Sequence, residues 1–334
     1  MLKTILIGFG NIAANYADDK RMKNWIEYSS HIQVLKDHPN FSLNAVVDIK
    51  LEALKKAKEE WNIPEVKQNL DDLNNINEFE VAVLAVPSEK RIEIINKLPN
   101  LKILILEKPL ASKISEGLEI VEICRKRKII AEVNYPRRFD KMLLKIIKAL
   151  PKELGDIQTA FGIYGNGINN NGSHLIDLAR MFLGKVSWVQ SLANRVVNNN
   201  GTIKDDINFP FAIGYESGTT LLTQFVEYKK YREFYFDLWG VKGRRSFIQE
   251  GLLSAYYPLK NHRFSEKDYE IASDKSEIKL MDQSHAMYDL YNYVFNRINS
   301  NDLVNTNLNF SLEVLEIIKK LELSFSKNDE KIFL

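Results

Sequence analysis

A chain of 334 residues has room for two domains, and 45% hydrophobic with 27% charged residues is the balance of an ordinary globular protein. The formal net charge of +2 argues against a dedicated nucleic-acid binder, which concentrates a basic excess. The single cysteine, Cys124, excludes an intramolecular disulfide and the multi-thiolate zinc patterns, and fits a reducing compartment.

The apolar, β-branched run Thr4-Ile5-Leu6-Ile7 suits a strand buried on both faces. Gly8-Phe9-Gly10 follows, and Asn11-Ile12-Ala13-Ala14 can open a helix. The polar stretch Tyr16 to Trp25 reads as an insertion. A helix is expected over Ser30 to Leu35, a strand over Leu43 to Val47 ending at Asp48, and an amphipathic helix over Leu51 to Trp61. A short strand near Val66 and a helical turn over Leu70 to Leu73 come next. Strands are then expected over Val81 to Val86, Leu101 to Leu106 and Ile129 to Val133, with helices over Arg91 to Leu98 and Ser115 to Lys126. Cys124, on the last of these, reads as a small buried residue. Strands alternating with helices at this spacing give βαβ units and a doubly wound parallel sheet. Its functional residues belong at the strands' carboxyl ends, which carry Gly8, Asp48, Pro87, Lys108 and Asn134.

After about residue 150 the pattern changes. Phe161 to Gly167 runs into a Gly/Asn-rich loop and then a helix over His174 to Phe182. Period-two segments follow over Trp188 to Asn198, Phe209 to Val226, Glu233 to Leu238 and Arg245 to Gln249, with turns at Glu216-Ser217-Gly218 and Lys242-Gly243. They predict a large, mostly antiparallel sheet. Helices over Gln283 to Asn299 and Ser311 to Phe325 close the chain. The expected architecture is α/β: a Rossmann domain over 1–130, an α+β domain over 131–310, and a C-terminal helix and tail over 311–334 packing back on the Rossmann domain. With no signal-peptide pattern and no apolar stretch near the ~18 residues needed to span a bilayer, cytoplasmic residence without a membrane partner is expected.

Gly8-Phe9-Gly10-Asn11-Ile12-Ala13 fits G-x-G-x-x-G/A. The first glycine allows the tight strand-to-helix turn, the second lets a pyrophosphate approach the backbone, and the third position permits close helix–sheet packing. The preceding strand and the acid ending the next one favour dinucleotide binding over a plain glycine turn. Asp48 would accept hydrogen bonds from the adenosine ribose and so favours NAD, while Lys50 leaves NADP open. Asp48 lies farther along than the usual ~20 residues, a difference the insertion can absorb. Glu107-Lys108-Pro109 ends a buried strand; there Lys108 can donate to a substrate oxygen or take part in proton transfer. His174, after Gly172-Ser173, reads equally as a general base or as a capping or packing histidine. His31, His38, His262 and His285 read as structural or exposed. Asn134 to Phe139 puts Arg137 and Arg138 either on anionic or polyhydroxyl groups or in a basic hinge. The histidines and carboxylates show no metal-site grouping.

These motifs together resemble the glucose–fructose oxidoreductase / inositol dehydrogenase / MocA (Gfo/Idh/MocA) family over nearly the whole chain. The resemblance rests on the Gly8 to Ala13 loop, Asp48, Ala85-Val86-Pro87-Ser88, Glu107-Lys108-Pro109, Asn134 to Phe139, Gly172-Ser173-His174-Leu175-Ile176-Asp177 and Leu238 to Gly243. It implies NAD(P)-dependent oxidation or reduction of sugars, cyclitols and their derivatives. Cofactor contacts would come from Gly8, Phe9, Gly10, Asn11, Ile12, Asp48, Ala85, Val86, Pro87, Glu107 and Lys108. Lys108 and His174 would be catalytic, and Asn134, Arg137, Arg138 and Asn170 would join them on a small sugar-like substrate. The second domain's sheet would carry the contacts of a homodimer or homotetramer. Asn170 and Arg91 depart from the family: many members have Asp at the first position and His at the second, and Ser88 stands for a common Asn. The loss of that Asp keeps open a cofactor-binding sensor without catalysis, or a reductase of a non-sugar carbonyl or imine.

Overall fold

The computed structural model describes residues 1–193, 203–298 and 306–334. They fall into two compact units, Met1–Phe139 with Gln283–Leu315, and Asp140–Asp282 with Glu316–Leu334.

The first unit is built on six parallel strands: β1 (Leu2–Ile7), β2 (Phe41–Val47), β3 (Glu65–Lys67), β4 (Val81–Leu84), β5 (Ile103–Leu106) and β6 (Ile130–Val133). Their order is β3-β2-β1-β4-β5-β6, the doubly wound arrangement with its switch point between β1 and β4. The central strands are apolar along their length because helices cover both faces; every residue of β4 and β5 is buried. Cys124 is fully buried, and burial pushes its thiol up to about 12.

The helix after the glycine loop differs from the expectation in an instructive way. Ala14 N–H donates to Gly10 O and Tyr16 N–H to Asn11 O, but the chain then leaves for the short helices Asn15–Asp18 and Lys20–Lys23. It returns at the helix His31–Asp37, whose first residues, His31 and Ile32, donate to the carbonyls of Ile12 and Ala13. The orphan acceptors of the first turn are thus satisfied by residues far along the chain, and the insertion is looped out of one interrupted helix. Ser29 Oγ donates to Tyr16 O, pinning the two ends together.

The second unit carries the large sheet: β7 (Ile157–Tyr164), β8 (Val186–Ser191), β9 (Phe211–Tyr215), β10 (Thr220–Phe225), β11 (Tyr235–Gly240), β12 (Gly243–Ile248), β13 (Leu253–Asn261), β14 (Tyr269–Ile271), β15 (Glu277–Leu280) and β16 (Ile332–Phe333). Its main path runs β14-β13-β12-β11-β7-β10-β9-β8-β16, with β15 on β13; only β10–β7 is parallel. The helix Ser173–Leu183 covers one face, with Leu175 against Gly162 of β7. The part of the expected Trp188 to Asn198 strand beyond residue 193 lies outside the described residues. The helix Lys141–Glu153 and the strands β13 to β15 are additions to the expected elements.

The domain limits need correction. Residues 131–139, expected in the second domain, stay with the first unit, because Arg138 is hydrogen-bonded inside it and Phe139 packs on Tyr293. Residues 283–310 do the same: Met287, Leu290, Tyr291 and Val294 of the helix Ala286–Arg297 belong to the Rossmann core. The tail goes mostly the other way. Only 311–315 joins the first unit, while Ile332 and Phe333 pair with β8 in the second sheet. Among the described residues no helix is long and apolar enough to cross a membrane, and no group of three His, Cys, Asp or Glu could hold a metal.

Candidate active site

The dinucleotide loop leaves β1 at Gly8, whose φ of 86° is a left-handed conformation that glycine adopts without strain. A Cβ there would lie 2.4 Å from the carbonyl oxygen of Ala85, so the ends of β1 and β4 approach as closely as they do only because residue 8 has no side chain. At Gly10 an added Cβ would meet nothing within 4 Å. That open backbone fits a pyrophosphate approaching the first helical turn. Ala13 is fully buried against the sheet and Phe9 is in the core, so Phe9 faces the cofactor region only through its backbone. Asn11 Oδ1 accepts from Asn15.

Asp48, at the end of β2, has a second task. Its carboxylate accepts from Phe9 N–H at 2.7 Å and from Lys50 N–H at 2.8 Å. The acid expected to meet the ribose also fixes the loop expected to meet the phosphates. After β4, Ala85 N–H donates to Ile7 O, and Val86 O accepts from Arg91. Arg91 was noted in the sequence only as a departure. It is almost fully buried and also donates to the carbonyls of Pro109 and Leu110, tying the loop after β4 to the loop after β5. Burial lowers it to about 10, against the raising influence of Glu107 and Glu89. Ser88 Oγ lies 2.6 Å from Ser112 Oγ, tying the same two loops.

Strand β5 delivers Glu107 and Lys108 to the carboxyl edge, with a cis bond between Lys108 and Pro109. Glu107 is held from three elements. His31 Nε2 lies 3.0 Å and Asn134 Nδ2 2.6 Å from Glu107 Oε1, and Tyr291 Oη lies 2.9 Å from His31 Nδ1. Burial pushes Glu107 up, but the His31 and Asn134 hydrogen bonds and the Lys108 charge together hold it below the ordinary value. Burial and the Glu107 charge hold Tyr291 well above the usual tyrosine range. A carboxylate only accepts, so the hydrogen is assigned to Nε2 of His31, and Nδ1 accepts from the protonated Tyr291. His31, read as structural or exposed, is buried and structural, and it holds Glu107 from below. Its signal was present: it starts the helix that the insertion interrupts.

Asn134 spends its amide nitrogen on Glu107, while its Oδ1 is buried without a protein partner. The two arginines part company. Arg138 is buried; its guanidinium donates to Asn307 O and Ser311 Oγ, pairs with Glu132, and stacks on Tyr135 and Phe310. The expected substrate contact at Arg138 gives way to contacts inside the unit, where Nη1 is spent on Glu132, Asn307 and Ser311 and the guanidinium lies on Tyr135 and Phe310. Arg137 is half-buried and lines a cavity of the same unit.

In the second unit the Gly/Asn loop closes as a π-helical turn, Ile168–Gly172, leading into the helix Ser173–Leu183, whose first turn carries the half-buried His174. Asp206, unmarked in the sequence, organises the loop. Its carboxylate accepts from Asn169 N–H and Asn170 N–H, both at 3.0 Å, and from Asn169 Nδ2 at 3.2 Å. A Cβ on Gly167 would collide with it at 1.9 Å. Burial raises Asp206 above the usual carboxylate range despite these donors. The Asn170 backbone is thus anchored at both ends, its N–H on Asp206 and its carbonyl accepting from Ser173 Oγ at 2.6 Å.

Residues 2–135 match a family described as "Oxidoreductase family, NAD-binding Rossmann fold", GFO_IDH_MocA. The first unit is thus built on the NAD-binding Rossmann domain of the Gfo/Idh/MocA oxidoreductases, and the resemblance read from the motifs holds there. Among solved structures, the chain is similar to a WlbA dehydrogenase from Chromobacterium violaceum in complex with NADH and UDP-GlcNAcA, at 20% identity and TM-score 0.71, over 100% of this chain and 96% of that one. It is also similar to the apo scyllo-inositol dehydrogenase of Lactobacillus casei, at 16% identity and TM-score 0.72, over 100% and 98%. A third is a super-repressor mutant of Gal80p from Saccharomyces cerevisiae, at 13% identity and TM-score 0.75, over 99% and 98%. At these identities the likeness establishes the fold. No curated protein sequence matches the chain.

Proposed function

We propose that the protein is a cytoplasmic NAD-dependent dehydrogenase or reductase acting at a CH–OH or C=O carbon of a sugar or sugar derivative, a nucleotide sugar included. The observation that carries this reading is Glu107 locked by His31 and Asn134, with Lys108 beside it at the carboxyl edge of an NAD-binding sheet. Bound NAD supplies the hydride acceptor or donor at its nicotinamide ring. Lys108 donates a hydrogen bond to the substrate oxygen and stabilises the charge that develops there. His174 exchanges the hydroxyl proton. Arg137 and the Asn166 to Asn171 loop orient the substrate, whose hydroxyls suit amides that both donate and accept. Asp48 favours NAD over NADP, since a 2′-phosphate would face its carboxylate. Similar folds in a nucleotide-sugar complex and an inositol dehydrogenase support the substrate class. Copies of the chain associate through the open face of the second sheet.

The test is NADH fluorescence on mixing with the protein, then turnover of a sugar and nucleotide-sugar panel by the wild type and Lys108→Ala. Saturable NADH binding with turnover lost in the variant is expected. Failure to bind NADH overturns the reading. Binding without turnover of any panel member replaces it with a regulatory one, the reading that Asn170 favours.

A further inference from the structure

The second unit has an open groove at the start of β7, the end remote from the Asn166 to Asn171 loop. Its volume is about 440 Å³, inside the range of roughly 300–1,000 Å³ found for small-molecule sites. Ile147 and Leu150 of the helix Lys141–Glu153 line it, with Ile157 of β7 and Phe182 of the helix Ser173–Leu183. Phe182 lies about 12 Å along that helix from His174, so the groove stands apart from the candidate active site.

Backbone hydrogen bonds set what faces it. Val241 N–H donates to Asp156 O at 3.0 Å and Lys242 N–H to Leu154 O at 2.9 Å, pinning the β11–β12 turn on the segment that leads into β7. Gly155 lets them meet. Its φ is 64°, and a Cβ there would lie 2.7 Å from Val241 Cγ2 and 3.3 Å from Lys242 Cδ. The Lys242 stem therefore runs along Gly155, next to Asp156.

Three kinds of contact stand unused in the groove. Asp156 and Lys242 both line it, and among the described residues neither makes an ion pair or a side-chain hydrogen bond, with each other or with anything else. Pro151 has no N–H, so the carbonyl of Ile147, four residues back, loses its helical donor. Ile147, Ile157 and Phe182 are only half-buried, and the Phe182 ring is held in place by Phe236 and Phe247. A solvated acid and lysine on an ordinary surface would need no partner. Here both signs, a spare carbonyl and a fixed apolar surface share one concavity.

We propose that this groove binds a free apolar α-amino acid, its ammonium on Asp156 and the Ile147 carbonyl, its carboxylate on Lys242 and its side chain on Leu150 and Phe182. An amine alone would leave Lys242 unmatched, and a carboxylate alone would leave Asp156 unmatched. The proposal goes beyond the dehydrogenase reading and does not depend on it.

Isoleucine methyl NMR tests it without turnover, since Ile147 and Ile157 both line the groove. The full chain, labelled at the isoleucine δ1 methyls, is titrated with L-phenylalanine, with 3-phenylpropionate, which lacks the ammonium, and with 2-phenylethylamine, which lacks the carboxylate. Saturable shifts of the Ile147 and Ile157 signals are expected, with phenylalanine at least threefold tighter than either half-ligand. Lys242→Gln should weaken phenylalanine about threefold, the worth of an exposed ion pair, and leave phenylethylamine unchanged. Asp156→Asn should weaken phenylalanine and leave phenylpropionate unchanged. Both positions are exposed, so the variants keep the fold, which the other isoleucine methyls verify. No saturable shift, phenylalanine no tighter than the half-ligands, or an affinity that survives either substitution would overturn the proposal. Shifts that follow protein concentration instead of ligand would assign the groove to a second copy and overturn it too. NADH takes no part in the titration, so the dehydrogenase reading stands or falls on its own test.

Discussion

Gly8 and Gly10 sit two residues apart and do different work. Gly8→Ala places a Cβ 2.4 Å from a backbone oxygen at a positive φ, where neither partner is a flexible side chain. It should cost about 3 kcal/mol of stability, measured by urea unfolding. Gly10→Ala meets no protein atom and should leave stability within ~0.5 kcal/mol, while NADH affinity falls at least tenfold in a fluorescence titration. Equal losses of stability in both variants would refute this division. Glu107 makes a pH prediction. Its folded-state value lies below the ordinary 4.5, so the stability it contributes is fully present above 4.5 and is lost as pH falls through the folded value. Unfolding of wild type and Glu107→Gln should therefore show a gap that is constant from pH 7 to 5 and narrows below about 4.5. A gap that ignores pH would mean that the His31 pairing does not hold the carboxylate ionised. At this scale the sequence was readable where a residue's place follows from its own motif, as with Gly8 at the turn that leaves β1. It was silent where a residue acts on a distant one: nothing local marks Asp206 as the anchor of Asn169 and Asn170, or Arg138 as a partner of Asn307.

The strands of the first sheet were legible because a strand buried on both faces must be apolar throughout, and Ile103 to Leu106 is a clear instance. The edges of the second sheet were not, since β14 and β15 keep exposed polar residues and short lengths that resemble loop. The helix Lys141–Glu153 was missed although it is amphipathic, because Pro151 within it reads as a breaker; it falls in the last turn, where the cost is small. The insertion was recognised, but not its closure. Since Tyr16 and Ser29 are hydrogen-bonded neighbours and the helix resumes at His31 with the acceptors of Ile12 and Ala13, the excursion is separable from the fold. Replacing residues 17–28 by a short Gly/Ser turn should keep NADH affinity within threefold. It should cost about 2 kcal/mol, from the lost burial of Ala17 and the packing of Tyr28 on Tyr288. Loss of NADH binding in this variant would show that the excursion shapes the glycine loop rather than decorating it.

For the molecule as a whole, the second sheet has one face covered by the helix Ser173–Leu183 and another that is not. On the open face Phe161 of β7 and Leu222 of β10 are register partners, both about 41% exposed. Asp237 of β11 lies beside Phe161 and is buried under Trp239, Arg244 and Ser246, a charged centre sealed by hydrogen bonds from all three. Farther along, Ile278 and Leu280 of β15 are 60% and 61% exposed, and pair with Ala255 and Leu253 of β13. Alternation places these side chains on a single face that runs from β10 across β7, β11, β12 and β13 to β15, with exposed apolar residues at Phe161 and Leu222 and again at Ile278 and Leu280. A second copy meeting it through a two-fold axis would bury the same residues on both partners. The wild type should therefore sediment as a dimer or tetramer at micromolar concentration. A Phe161→Glu, Leu222→Lys double variant should shift it to the monomer, yet still bind NADH, because neither residue belongs to the Rossmann unit. Sedimentation as a monomer at the wild-type sequence would leave the face to another partner. An oligomer indifferent to both substitutions would move the interface off the sheet.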